Sequence, residues 1–207
     1  SEADLAGIEP LTATGEIPNS LSHSILNYYD YADLIAAKLG GGSKSLGLQE
    51  LKAHIAQSVQ ESAFQKEGNY YEPLTRLGCS KYMTLNYDNL LERAFEKQGI
   101  NTNPGVHTTQ FRNILNRPAV LYLHGQAADP SSIVISSSDV SNITTMSDIR
   151  QMASGWYQAD VVLHVGLGFA DEPMLDFVQG AQQAGNGARA HFAIVTPDVP
   201  QFKRDIL

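Results

Sequence analysis

The sequence predicts an α/β fold, a parallel sheet with helices on both faces and a small helical subdomain ahead of it. Three short apolar runs, Lys81–Leu85, Ala119–Leu123 and Val161–Val165, each end in a polar cluster. From Lys81 onward, runs of this kind alternate with amphipathic helical stretches, the signature of βαβ units. Ahead of Lys81 the apolar residues recur only at helical spacing. In an open parallel sheet, ligands bind beyond the carboxyl ends of the strands, so the three polar clusters can line one pocket.

Taken in order, residues 1–19 hold Gly7, Pro10, Gly15 and Pro18 among small polar residues and read as irregular loop. A helix follows from Ser20 or Ser22 to Leu39, with Leu21, Ile25, Leu26, Tyr29, Leu34 and Ile35 recurring at spacings of three, four and five and Gly40-Gly41-Gly42 as its stop. A second helix covers Leu48–Gln65, with Leu51, Ile55, Val59 and Ala63 spaced by four. Residues 20–66 therefore form the helical subdomain, a candidate lid, and residues 80–196 the core. After the first strand, Asn89–Gln98 is a helix with Leu90, Leu91, Ala94 and Phe95 buried, capped by Asp88 and ended by Gly99. Ile133–Ile135 is a further possible strand in an edge or loop position. Ser147–Tyr157 reads as helix. Asp171 caps a last helix to about Ala184 with Pro173 in its first turn, Gln182–Gly187 turns, and Ala190–Val195 is the final strand.

The bulk composition narrows the function classes. With 207 residues, 43% hydrophobic and 17% charged, the chain suits one domain with a full core. A net charge of -8 argues against a nucleic-acid backbone as partner. The single Cys79 excludes an internal disulfide and a four-cysteine zinc site, and reads as buried and inert. No run approaches the roughly 20 apolar residues of a membrane helix, and no signal pattern opens the chain, so the expected setting is the cytoplasm.

Four clusters can carry chemistry. Asn86 and Asp88 follow a strand and open a helix, although capping alone also favours these residue types there. His124 sits between a strand end and Gly125, where an imidazole can serve as a base near neutral pH or simply be satisfied within a loop. His164 lies inside an apolar run and reads as packing. Gly166 and Gly168 form a Gly-x-Gly between strand and helix that permits close backbone approach to a ligand, but Asp171 stands where a dinucleotide fingerprint has its third glycine. Ala6-Gly7-Ile8-Glu9 is a second glycine-loop candidate. His23, His54, His107 and His191 show no metal-ligand spacing, so no metal is expected.

Together and in this order, Thr84-Leu85-Asn86-Tyr87-Asp88-Asn89-Leu90-Leu91-Glu92, Leu123-His124-Gly125 and Val165-Gly166-Leu167-Gly168-Phe169-Ala170-Asp171-Glu172-Pro173 resemble the SIR2 family, and more closely its bacterial NAD-consuming branch. The resemblance implies a Rossmann-like core. It also implies cleavage of NAD to nicotinamide and ADP-ribose, with NAD as substrate and no metal. Asn86 then matches the residue acting at the nicotinamide ribose, His124 the catalytic histidine and Asp88 its acidic neighbour. Gly7, Thr84, Gly166, Gly168 and Asp171 fall where the cofactor is held. The family's zinc cysteines are missing and its first glycine loop is degenerate, with almost no strand before it, which implies a piece of a longer protein. Two rival readings are a non-catalytic module that senses an ADP-ribose-type nucleotide or oligomerises, and a protein deacylase, which ranks last. By the same resemblance, the role expected is bacterial antiphage defence, restrained by homo-oligomerisation or by a fused or partner regulatory domain.

Overall fold

The computed structural model describes residues 28–65, 71–105, 118–145, 147–166 and 191–194. The expected amino-terminal loop with Gly7, the helix after Asp171, and Gly168 and Asp171 themselves lie outside the described residues.

Two helices come first, α1 (Tyr28–Leu39) and α2 (Lys44–Gln65), joined by the glycine turn that the sequence marks as a stop. They approach so closely that a Cβ at Gly47 would lie 1.7 Å from the Ala36 carbonyl oxygen, a contact only glycine avoids. A short helix α3 (Glu72–Thr75) leads into β1 (Lys81–Thr84), α4 (Leu90–Glu96) and β2 (Asn103–Gly105). Next come β3 (Ala119–Tyr122), a 3-10 turn at Pro130–Ser132, α5 (Ser137–Thr145) and α6 (Ser147–Ala159). The parallel strands β4 (Leu163–Val165) and β5 (Phe192–Ile194) complete the described elements.

The architecture is mixed α/β with a small parallel sheet in the order β1-β3-β2. Every residue of β3 is buried, as a central strand covered on both faces requires, and this is why its sequence is a continuous apolar run. Side chains alternate across it. Val120 and Tyr122 pack on Leu91 and Phe95 of α4, whereas Ala119 and Leu121 pack on Ala153 of α6, with Met152 and Trp156 beside it. Helices therefore cover opposite faces of the strand.

The α1–α2 hairpin is docked onto the region after β3. Ala56 packs with Ala127 and Ile133, Gln60 Nε2 donates to the Ala127 carbonyl at 2.8 Å, and Lys52 pairs with Asp139 at 2.8 Å in a largely buried contact. Burial alone would raise the Asp139 carboxyl, but Lys52 and the amides of Ile135 and Ser136 outweigh it and hold it below the usual range.

Several expectations need correction. Cys79 is exposed, because it sits in the turn that precedes β1 and not in a packed element. Ile133–Ile135 forms no strand; it is an extended strap whose Val134 amide donates to the His124 carbonyl at 2.9 Å. Besides the short α3 and the 3-10 turn, two further elements went unread. β2 is Asn-Pro-Gly, with no apolar pattern to betray it, and it pairs with β3 through Pro104 opposite Val120. α5 is mostly Ser, Thr and Asn, yet Ser136 Oγ accepts from the Asp139 amide at 3.0 Å while Asp139 Oδ2 accepts from the Ser136 amide at 3.0 Å. That reciprocal cap is announced in the sequence by Ser-x-x-Asp.

Candidate functional site

Thr84 pairs with Tyr122 at the last rung of β1 and β3, and the chains run parallel. Asn86 and His124 thus each stand two residues past the same rung, at the same sheet edge. The ladder continues one bond further, from the Leu123 amide to the Thr84 carbonyl at 2.9 Å.

On the β1 side the turn is shaped by its own polar side chains. Thr84 Oγ1 accepts the Asn86 amide at 3.0 Å, turning the chain out of the strand. Asn86 is exposed, and its Nδ2 donates to the Tyr71 hydroxyl at 2.7 Å, which fixes how the carboxamide faces. Asp88 Oδ1 accepts from the Leu90 amide at 3.0 Å, so Asp88 does cap α4, as residue type alone allows. Tyr87 points the other way, donating to the Val134 carbonyl at 2.8 Å within the cluster of Ala56, Ala127 and Ile133.

On the β3 side, His124 is half-buried and leads into a tightly closed loop. Gly125 has φ +82°, and a Cβ there would fall 2.1 Å from the Ser132 carbonyl oxygen. The Gln126 amide donates to Ser132 Oγ at 3.0 Å, and the Ala127 amide donates to the Tyr87 carbonyl at 2.8 Å, tying the two polar turns together.

Behind this edge lies a set of acidic and phenolic groups. The buried Tyr122 hydroxyl lies 3.1 Å from the Asp88 carbonyl oxygen and 2.6 Å from Glu92 Oε1. Burial, then Glu92, raises the Tyr122 hydroxyl far above the ordinary phenol value, with Asp88 and Tyr71 adding to it. Tyr71 is raised by burial and by the nearby Asp88 carboxylate, against the pull of its bond from Asn86.

The structure thus brings Thr84, Asn86, Asp88 and His124 to one edge. Gly166 follows β4, on the other strand pair, with φ +70° and open space where a Cβ would stand. Tyr71, Glu92 and Tyr122 were missed by the sequence reading. The available signal was place in the chain, since Glu92 lies in the first turn of α4, just after the Asn86–Asp88 cluster, and Tyr122 lies in the apolar run that ends just before His124. Among the described residues, no three His, Cys, Asp or Glu side chains are grouped to hold a metal, and no helix is long and apolar enough to cross a membrane.

Comparison with known proteins gives two matches. Residues 80–207 match the model of the SIR2-like domain, a span that includes every described residue of the strand-end site except Tyr71. The NAD(+) hydrolase ThsA of Bacillus cereus (strain MSX-D12) is 29% identical over 127 residues, 59% of this chain and 26% of that protein. The chain therefore spans about a quarter of the length of this curated relative.

Proposed function

The chain belongs to the SIR2-like domain family, and on that premise we propose that it hydrolyses NAD at the N-glycosidic bond, releasing nicotinamide and ADP-ribose. The observation that carries the reading is the shared rung: Asn86 and His124 each stand two residues past the paired Thr84 and Tyr122, at the ends of adjacent parallel strands. The name of the Bacillus cereus relative supports the same reaction.

Breaking the bond between the ribose C1′ and the pyridinium nitrogen sends the electron pair to nicotinamide, which leaves neutral. Positive charge develops on the ribose, and groups that hold the sugar in that state lower the barrier. No strong acid is required for so good a leaving group. In this reading Asn86, oriented by Tyr71, positions the ribose or the attacking water, using a side chain that both donates and accepts. His124 contacts a ribose hydroxyl and takes the proton of the water as the new C–O bond forms. Asp88, one carboxylate oxygen engaged at the helix start, stabilises the developing positive charge with its remaining field. Thr84 and Gly166, and from the sequence alone Gly7, Gly168 and Asp171, hold the rest of the dinucleotide in a Rossmann-like core. The docked α1–α2 hairpin is the lid of this proposal, and assembly or a further regulatory domain is the restraint. Cytoplasmic antiphage defence is the role the reading implies.

The test is incubation with NAD, with nicotinamide release followed by chromatography and circular dichroism confirming folding. Asn86→Ala and His124→Ala are expected to lower turnover by about 10²- to 10⁴-fold, the range for a lost acid-base or positioning group. Near-normal turnover in either folded variant removes that residue from the mechanism. Binding of ADP-ribose without nicotinamide release from the wild type would replace the hydrolase with a nucleotide-sensing module.

A further inference from the structure

One proton at the back of the site faces two oxygens that can both accept it. The Tyr122 hydroxyl is 2.6 Å from Glu92 Oε1 and 3.1 Å from the Asp88 backbone carbonyl, and Tyr122 is 1% exposed. A phenol carries a single hydrogen, whereas a carboxylate and a carbonyl carry none to give. With Glu92 ionised, that hydrogen is divided between two acceptors. With Glu92 protonated, its carboxyl donates to the Tyr122 oxygen and Tyr122 donates onward to Asp88, so all three groups are satisfied.

We propose that Glu92 is held as the neutral acid and that Glu92, Tyr122 and the Asp88 carbonyl form a one-way hydrogen-bond relay that positions the Asn86–Asp88 turn. Glu92 is thereby a positioning residue for the proposed NAD cleavage, and this part of the inference rests on that reading. The relay begins on α4, passes through the central strand β3 and ends on the turn that carries Asn86, so it couples the helix to the site through two hydrogen bonds.

The surroundings favour the neutral form. Burial raises the Glu92 carboxyl; the Tyr122 hydroxyl acts against this, and Glu96, one turn further along α4, reinforces it. From the other elements, Asp88 on the turn and Tyr71 ahead of α3 act on the same Tyr122 hydroxyl, and both are acids. Ionising Glu92 adds a negative charge one turn from Glu96. It also withdraws the hydrogen that fixes the Asp88 carbonyl.

The sign follows from linkage. A carboxyl whose folded value is raised stabilises the fold in acid, and that contribution is lost as pH rises through the folded value. The difference in thermal midpoint between wild type and Glu92→Gln, measured from about pH 3 to 9, should therefore be smallest at the acid end and grow in favour of Glu92→Gln as pH rises. The amide keeps a donor for Tyr122 without a titration. Infrared spectroscopy should show, in wild type, a protonated-carboxyl band that persists to higher pH than that of an exposed glutamate and is missing in Glu92→Gln. In NAD cleavage, Glu92→Ala and Tyr122→Phe should lower kcat about tenfold with KM little changed, the size of one lost hydrogen bond. Glu92→Gln should restore the rate and remove its alkaline decline. An ordinary carboxylate titration of Glu92, or parallel midpoints for wild type and Glu92→Gln, would overturn the relay. A wild type that releases no nicotinamide while the infrared band persists would overturn the hydrolase reading and leave the relay standing.

Discussion

His124 and His164 are the same residue type on comparable strands, and the fold treats them in opposite ways. His124 stands two residues past the end of β3, half-exposed, beside a glycine and a polar turn. His164 is the middle residue of β4, 4% exposed, sharing a 2.9 Å hydrogen bond with the Tyr157 hydroxyl. Burial, then the neighbouring His191, pulls the His164 imidazole down to about 4, so it is neutral at physiological pH. His191 completes the group, with Nδ1 accepting the Val162 amide at 3.1 Å and its ring centroid 4.1 Å from that of Tyr157. Position relative to the strand end sets the surroundings: within the ladder an imidazole is a packing piece with a polar tip, and beyond it the same group stands half-exposed at the sheet edge.

The sharpest way to break this contrast is at Gly125, which lets His124 leave the strand. In Gly125→Ala the new Cβ would stand 2.1 Å from the Ser132 carbonyl oxygen at φ +82°, a strain and a clash together. A loss of about 3 kcal/mol or more is expected, read as the shift in a urea unfolding curve, and NAD cleavage should fall with it. A variant with an unchanged midpoint would mean that the loop can take another path and that His124 is not held by it.

The mirror experiment targets His164. Replacing it by Ala removes a buried ring and the hydrogen bond that ring shares with the Tyr157 hydroxyl, which should cost about 2–4 kcal/mol at pH 7. The folded pKa lies below the unfolded value of 6.5, so the folded state binds fewer protons and the contribution of neutral His164 is present above about 6.5 and lost as pH falls toward about 4. The gap between wild type and His164→Ala should therefore narrow by up to about 3 kcal/mol across that window. A gap that stays constant from pH 7 to 4 would show that His164 does not titrate with folding.

What was legible in the sequence divides along the same line. Runs such as Ala119–Leu123 announce their strand because a centrally buried strand needs apolar residues on both faces, and the polar residue that breaks the run marks the edge. His164 was read as packing for the converse reason, an apolar residue on either side. β2 was invisible because its pairing with β3 is made by backbone from an Asn-Pro-Gly stretch. α5 was missed because its cap, not its hydrophobic pattern, defines it. Tyr71 escaped because its partnership with Asn86 spans fifteen residues and a turn, and no local periodicity encodes such a meeting.

Tyr71 also supplies the smallest effect that still bears on the comparison. If the site edge is organised by side chains that hold Asn86 in place, Tyr71→Phe should loosen only that carboxamide. The phenyl ring keeps its packing against the cluster of Leu91, Phe95, Val120 and Tyr122, so stability should change by no more than about 1 kcal/mol. The side-chain amide resonance of Asn86 should shift and broaden in a nitrogen-15 spectrum, because the 2.7 Å acceptor of its Nδ2 is gone. That readout does not depend on turnover. NAD cleavage, where present, should fall several-fold through kcat, the consequence of a reacting group that is present but less well aimed. An Asn86 resonance that stays where it was would place the order of the edge in the backbone alone, and the contrast between the two histidines would then rest on the Gly125 loop and not on the polar contacts around it.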